Sequence, residues 1–183
     1  MNTNNISNSL WPSLKADAKA NSINSESTIR VFASLLVHPG MQMLFLYRLE
    51  KKLRRYGALG KIFGRIIRVM SVILTSSHVS CDAYIEPGVA VPHASGIVIG
   101  EGVHIKKYVR IYQHVTIGKN QHSDSDYPVV GEGSTLYAGC CILGNIRIGN
   151  NVTIGANAVV LKSIPDGRIA VGVPARLLRK ENE

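Results

Sequence analysis

The chain has 183 residues, 45% apolar and 18% charged, which suits one domain with a sizeable core and excludes a wholly disordered polymer. Its formal charge is +9, but residues 1–78 carry 11 basic and 3 acidic side chains, whereas residues 79–183 carry 10 and 9. The excess therefore sits in the front half, which argues against a uniformly basic nucleic-acid-binding fold and against a nucleic-acid partner. Residues 1–27 include six Asn and six Ser around a helix-like patch at Leu14–Ala20, and read as a polar mobile arm with Trp11 as its docking anchor. No secretory signal precedes them, and no run reaches the roughly 18 apolar residues of a spanning helix, so a cytoplasmic location is expected.

Residues 28–77 read as a basic helical region, broken at His38-Pro39-Gly40 and again around Gly57 and Gly60. In its last helix Ile62, Phe63, Ile66, Ile67, Met70, Ile73 and Leu74 recur at helical spacing, with Lys61, Arg65 and Arg68 on another face. Seven basic residues fall between Lys51 and Arg68 with no acid among them. Two readings stand: a solvated face, or a basic amphipathic surface that rests on the anionic inner membrane through 51–68.

From Val79 the pattern becomes a six-residue repeat. Its lead aliphatics are Val79, Ile85, Val91, Ile99, Ile105, Ile111 and Ile117, then Val130, Leu136, Ile142, Ile148, Ile154 and Val160. A second small or aliphatic series sits two residues before many of them, as at Val103, Val109, Val115, Ile146, Val152 and Ala158. Neither a helix nor a simple strand has this period. A triangular parallel β-helix does, with one hexapeptide per face and three per coil. The solenoid is expected over 78–172, followed by a basic tail over 173–183. The period breaks twice, by two residues around His93–Gly96 and by a polar loop at 119–128. Insertions in a solenoid gather on the face that binds, so both point to a site. Cys81, Cys140 and Cys141 form neither a disulfide framework nor a zinc spacing and read as small buried hydrophobes. The six histidines include no close ligand pair, and no metal is expected.

Several segments carry a resemblance to a known family: His93–Glu101, Ile111–Gly118, Ala138-Gly139, Ile142–Asn145, Ile154–Lys162 and Val171–Arg176. They resemble the hexapeptide-repeat acyltransferases, in particular the serine acetyltransferase group. The fold so implied is a left-handed parallel β-helix with an α-helical N-terminal region. The activity implied is acetyl transfer from acetyl-CoA to a hydroxyl, with His93 as the base that takes the hydroxyl proton.

Three positions depart from the serine enzymes. His78 stands where an Asp orients the catalytic imidazole, Pro92 where an Asp helps bind serine, and Tyr127 where a histidine contacts serine. Asp82 or a water is the alternative partner for His93. These departures resemble the exopolysaccharide branch, which includes colanic acid acetyltransferases. The acceptor expected on that basis is a sugar hydroxyl of a surface polysaccharide or its lipid-linked precursor. Serine O-acetyl transfer and a non-catalytic binding solenoid are the alternatives. One coil is 18 residues, so with the two-residue bulge position 113 stacks near His93. His114 is then either a cleft residue or a corner residue. The resemblance further implies a homotrimer with acetyl-CoA lying between subunits, along Gly118, Lys119, Ala138, Gly139 and Ala156. Lys162, Arg176, Arg179 and Lys180 would meet the CoA phosphates or form a solvated tail.

Overall fold

The computed structural model describes residues 9–120 and 127–178. From His78 onward the chain forms strands of two or three residues that visit three sheets in turn, so that each sheet gathers one strand from each successive coil, with isolated bridges at Ala90 and Ile164 filling two of the steps. The first sheet stacks β1 (His78–Val79), β3 (Val98–Ile99), β6 (Thr116–Gly118), β9 (Cys141–Leu143) and β12 (Val159–Val160), all parallel. The second stacks β2 (Tyr84–Ile85), β4 (His104–Ile105), β7 (Val129–Val130) and β10 (Arg147–Ile148). The third stacks β5 (Arg110–Ile111), β8 (Thr135–Leu136), β11 (Thr153–Ile154) and β13 (Ile169–Val171), with β14 (Arg176–Leu177) added antiparallel.

The lead aliphatics make the core. In the first sheet Val79 pairs with Ile99, Ile99 with Ile117, Ile117 with Ile142 and Ile142 with Val160, an inward column of branched side chains. All thirteen lead residues and all six of the preceding series are buried. One aliphatic per hexapeptide suffices because each strand turns one residue inward and its neighbours out. The two period breaks leave the register intact: the bulge at His93–Gly96 lies at a corner, and the strands on either side of both breaks still pair.

Among the described residues four helices precede the coils: α1 (Leu10–Ala20), α2 (Thr28–Val37), α3 (Pro39–Leu53) and α4 (Gly57–Thr75). The arm expected over 1–27 is corrected from Leu10 on, where α1 is docked rather than mobile; residues 1–8 lie outside the described residues. The cause is polar chemistry that composition hides. Asp17 is fully buried and takes the Arg48 guanidinium of α3 at 2.7 and 2.9 Å and the Gly88 N–H at 2.8 Å. Arg48 also donates to the carbonyls of Ile85 and Glu86, so one ion pair ties α1, α3 and the first coil together. Trp11 stacks on Phe32, with ring centroids 5.3 Å apart.

Pro39 opens α3, where its fixed φ and missing N–H cost nothing. The second break falls at residues 54–56, and Gly60 is not part of it. Gly60 lies inside α4, where a Cβ would come 2.1 Å from the Leu53 carbonyl oxygen, so it serves close packing against α3. Arg54 and Arg68 converge on the Cys81 thiol, with Arg68 paired to buried Glu50 and Arg54 to Asp82, fastening α3 and α4 to the first coil. The tail expected from 173 begins as ordered chain, since β14 pairs with β13; Arg179 and Lys180 lie outside the described residues.

Candidate active site

Each coil turns from the third sheet into the first through a corner, and these corners stack. The His93–Gly96 bulge forms one rung. His114 N–H donates to Ser95 O, Gly139 N–H to Gln113 O and Asn157 N–H to Ala138 O. The rungs after His93 are therefore Gln113-His114, Ala138-Gly139 and Ala156-Asn157, one continuous ridge. The imidazole of His93 is exposed at its start, and among the described residues no side chain hydrogen-bonds it. Its backbone is held from below. Asn21, which caps α1, donates from Nδ2 to Val89 O at 3.2 Å and accepts the Val91 N–H at 2.8 Å, two residues before His93.

His114 takes a left-handed φ of 58° and lays its exposed ring against Gly96, where an added Cβ would lie 2.3 Å from His114 Nδ1. It is a corner residue of the ridge. Two aromatic residues escape motif reading. Tyr112 lies 6.3 Å from the His93 ring, and Tyr137 stacks on Tyr112 at 5.2 Å and 14°. Each directly follows a lead aliphatic, Ile111 or Leu136, and that shared register is the signal by which they are found. Beside them Gln113 Oε1 is buried with no hydrogen-bond partner among the described residues.

Asp82, Lys119, Tyr127 and Lys162 stand at a different corner, where the first sheet turns into the second. Asp82 lies there, exposed, with its carboxylate 3.2 Å from Arg54, so one chain does not bring it to His93. Gly118 ends β6 and accepts the Gly144 N–H; Lys119 follows it, and exposed Lys162 is two coils further along. Tyr127 seals the base of the inserted loop, of which residues 121–126 are outside the described residues. Its ring packs on Gly102, whose φ of +72° and missing Cβ make room for it. Its hydroxyl donates to Glu101 at 2.7 Å, a bond that raises the phenol above its usual range, and Lys119 Nζ sits 5.8 Å from its ring. His78 opens β1 on the outward face of the first sheet, between the two corners, and no hydrogen bond joins it to His93. Pro92 is half-buried directly before His93, and Arg176 is exposed in β14.

The three cysteines are free thiols, and burial pushes Cys140 up to about 12, a protonated spacer in the coil rather than a nucleophile. Among the described residues no three His, Cys, Asp or Glu side chains gather as a metal site.

Residues 127–162 match the family model for the bacterial transferase hexapeptide (six repeats). Over 187 aligned positions the chain is 37% identical to the serine acetyltransferase of Buchnera aphidicola subsp. Schizaphis graminum, covering 97% of this chain and 67% of that one. A soybean serine acetyltransferase complexed with serine matches at a TM-score of 0.81 and 30% identity, over 96% of this chain and 72% of its own. A serine acetyltransferase in complex with CoA matches at 0.77 and 29%, over 92% and 70%. Stacked hexapeptide coils with an exposed histidine on a corner ridge define a hexapeptide-repeat acyltransferase. Within that class the chain belongs to the serine acetyltransferase family, whose enzymes draw their acyl group from acetyl-CoA. It spans 67% and 59% of the length of two curated members.

These relatives overturn the saccharide acceptor and the exopolysaccharide branch expected from the three departures, since they are serine acetyltransferases. The structure supplies a reason for the mistake at one of the three: Tyr127 is spent on Gly102 and Glu101, holding the loop base, and is not a free apolar face for a sugar.

Proposed function

We propose that the protein is a serine O-acetyltransferase, moving acetyl from acetyl-CoA to the serine hydroxyl, in a left-handed coil that works as a trimer. The reading rests on 37% identity to a serine acetyltransferase across 97% of the chain, with His93 exposed at the head of the corner ridge. His93 takes the hydroxyl proton as the serine oxygen attacks the thioester carbon. A tetrahedral intermediate forms, the C–S bond breaks, and the imidazolium returns the proton to the departing CoA thiolate. Small residues at Ala138, Gly139 and Ala156 keep the ridge free of bulky side chains, which suits an extended pantetheine arm.

The two corners are separated by the whole first sheet, so one chain supplies His93 and a neighbouring copy supplies Gly118 and Lys119. The backbone N–H groups at Gly118-Lys119 then face the thioester oxygen, and Lys162 and Arg176 face the CoA phosphates. Purified full-length protein given acetyl-CoA and L-serine should release CoA thiol in step with O-acetylserine. Absence of serine-dependent release at saturating acetyl-CoA would contradict the reading.

A further inference from the structure

Helix α4 is seated on α3 by its smallest residues. Gly60, Gly64, Ser71 and Thr75 are buried on one side, and a Cβ at Gly64 would already touch Arg54 and Glu50 at 3.3–3.4 Å. That close approach fixes how α4 is rotated. At about 100° per residue, the opposite side carries Ile62, Phe63, Ile66, Val69, Met70 and Ile73 within an arc of roughly 120°. These six side chains are 45–75% exposed, an apolar stripe along a 19-residue helix and far more than scattered surface hydrophobes.

The chemistry around the stripe chooses its occupant. Exposed Lys61 and Arg65 border it along one edge, on the same flank as Arg68, and neither has an ion pair among the described residues. From Lys51 through Cys81 the chain contains seven basic residues and no acid. A second copy docked stripe to stripe would bring Lys61 and Arg65 together with their counterparts, with no acidic residue on α4 to meet them. A surface that is apolar below and anionic at its rim satisfies both sets at once. No single described helix is long and apolar enough to cross a membrane, so the helix would lie along one.

We propose that α4 is a docking helix for anionic lipid bilayers, with its apolar stripe among the acyl chains and Lys61 and Arg65 on lipid phosphates. The test is sedimentation of the full chain with vesicles of phosphatidylcholine alone or with phosphatidylglycerol, at low and high salt. The expected result is binding to the phosphatidylglycerol vesicles, weakened by salt. Ile66→Asp with Ile73→Asp should weaken it at least tenfold, and Lys61→Glu with Arg65→Glu should abolish the preference for anionic lipid. Serine-dependent thiol release and circular dichroism unchanged from wild type establish that both variants are folded. Failure of the wild type to bind phosphatidylglycerol vesicles at low salt overturns the proposal, as does binding that survives both double substitutions. It is equally overturned if Ile66→Asp with Ile73→Asp lowers the oligomer mass in light scattering and leaves vesicle binding intact, because the stripe then belongs to a second copy.

Discussion

Replacing Asp17 by Ala removes a carboxylate that is 0% exposed and holds three donors: two from Arg48, at 2.7 and 2.9 Å, and the Gly88 N–H at 2.8 Å. Arg48 stays behind with a side chain 7% exposed and no counter-charge. Breaking a buried pair from one side costs about 3–5 kcal/mol, against a total stability on the order of 5–15 kcal/mol. With a urea slope of about 2 kcal/mol/M, the midpoint should fall by roughly 1.5–2.5 M at fixed protein concentration. Most of that cost is the orphaned guanidinium, so Asp17→Leu combined with Arg48→Met should recover at least half of it. The effect should also reach the site, because α1 ends in Asn21, which holds Val89 and Val91 just before His93. A midpoint shift equivalent to less than about 1 kcal/mol, within the range of ordinary surface substitutions, would refute the claim that this pair fastens the helices to the coils.

Burial raises the Tyr47 phenol from its usual value to about 12, its hydroxyl donating to the Ala83 carbonyl. Its contribution to stability is therefore complete below pH 10 and lost as pH rises toward 12, at most about 3 kcal/mol for two pKa steps; urea midpoints of Tyr47→Phe should fall less steeply over that window than those of wild type. Ile142, fully buried between Ile117 and Val160, should cost about 2–5 kcal/mol on truncation to Ala, read by the same denaturation. Gly96→Ala meets a φ of +63° and the His114 ring, and should displace the His93 bulge. Turnover should then fall on the order of ten- to a hundredfold with coil content by circular dichroism preserved; unchanged turnover would show the bulge to be indifferent to this corner.

The solenoid was readable because burying one aliphatic per six residues leaves a periodic mark that neither helix nor strand shares. One step of the site ridge was readable by the same arithmetic: a coil of 18 residues plus the two-residue bulge carries His93 to the neighbourhood of Gln113, whereas Ala138 and Ala156 came from the family resemblance. What stayed hidden is long-range and polar. Asp17 and Asn21 look like solvent-facing residues of a polar arm, and only the folded chain shows that their partners lie 31 and about 70 positions away. Gly60 looked like a helix breaker because local propensity cannot register the Leu53 carbonyl that needs the space. The acceptor was misjudged for a related reason. The residue type at Tyr127 does not show that its ring and hydroxyl are committed to Gly102 and Glu101.

The central claim is that His93 is the base for acetyl transfer, and it is tested most directly by His93→Ala in the thiol-release assay with acetyl-CoA and L-serine. The account predicts that kcat falls by about 10²–10⁴ while the dissociation constant for CoA, measured by calorimetry, stays within a factor of two or so of wild type, since His93 serves the chemistry and not the cofactor. Turnover retained at the wild-type level would contradict it and place the base elsewhere.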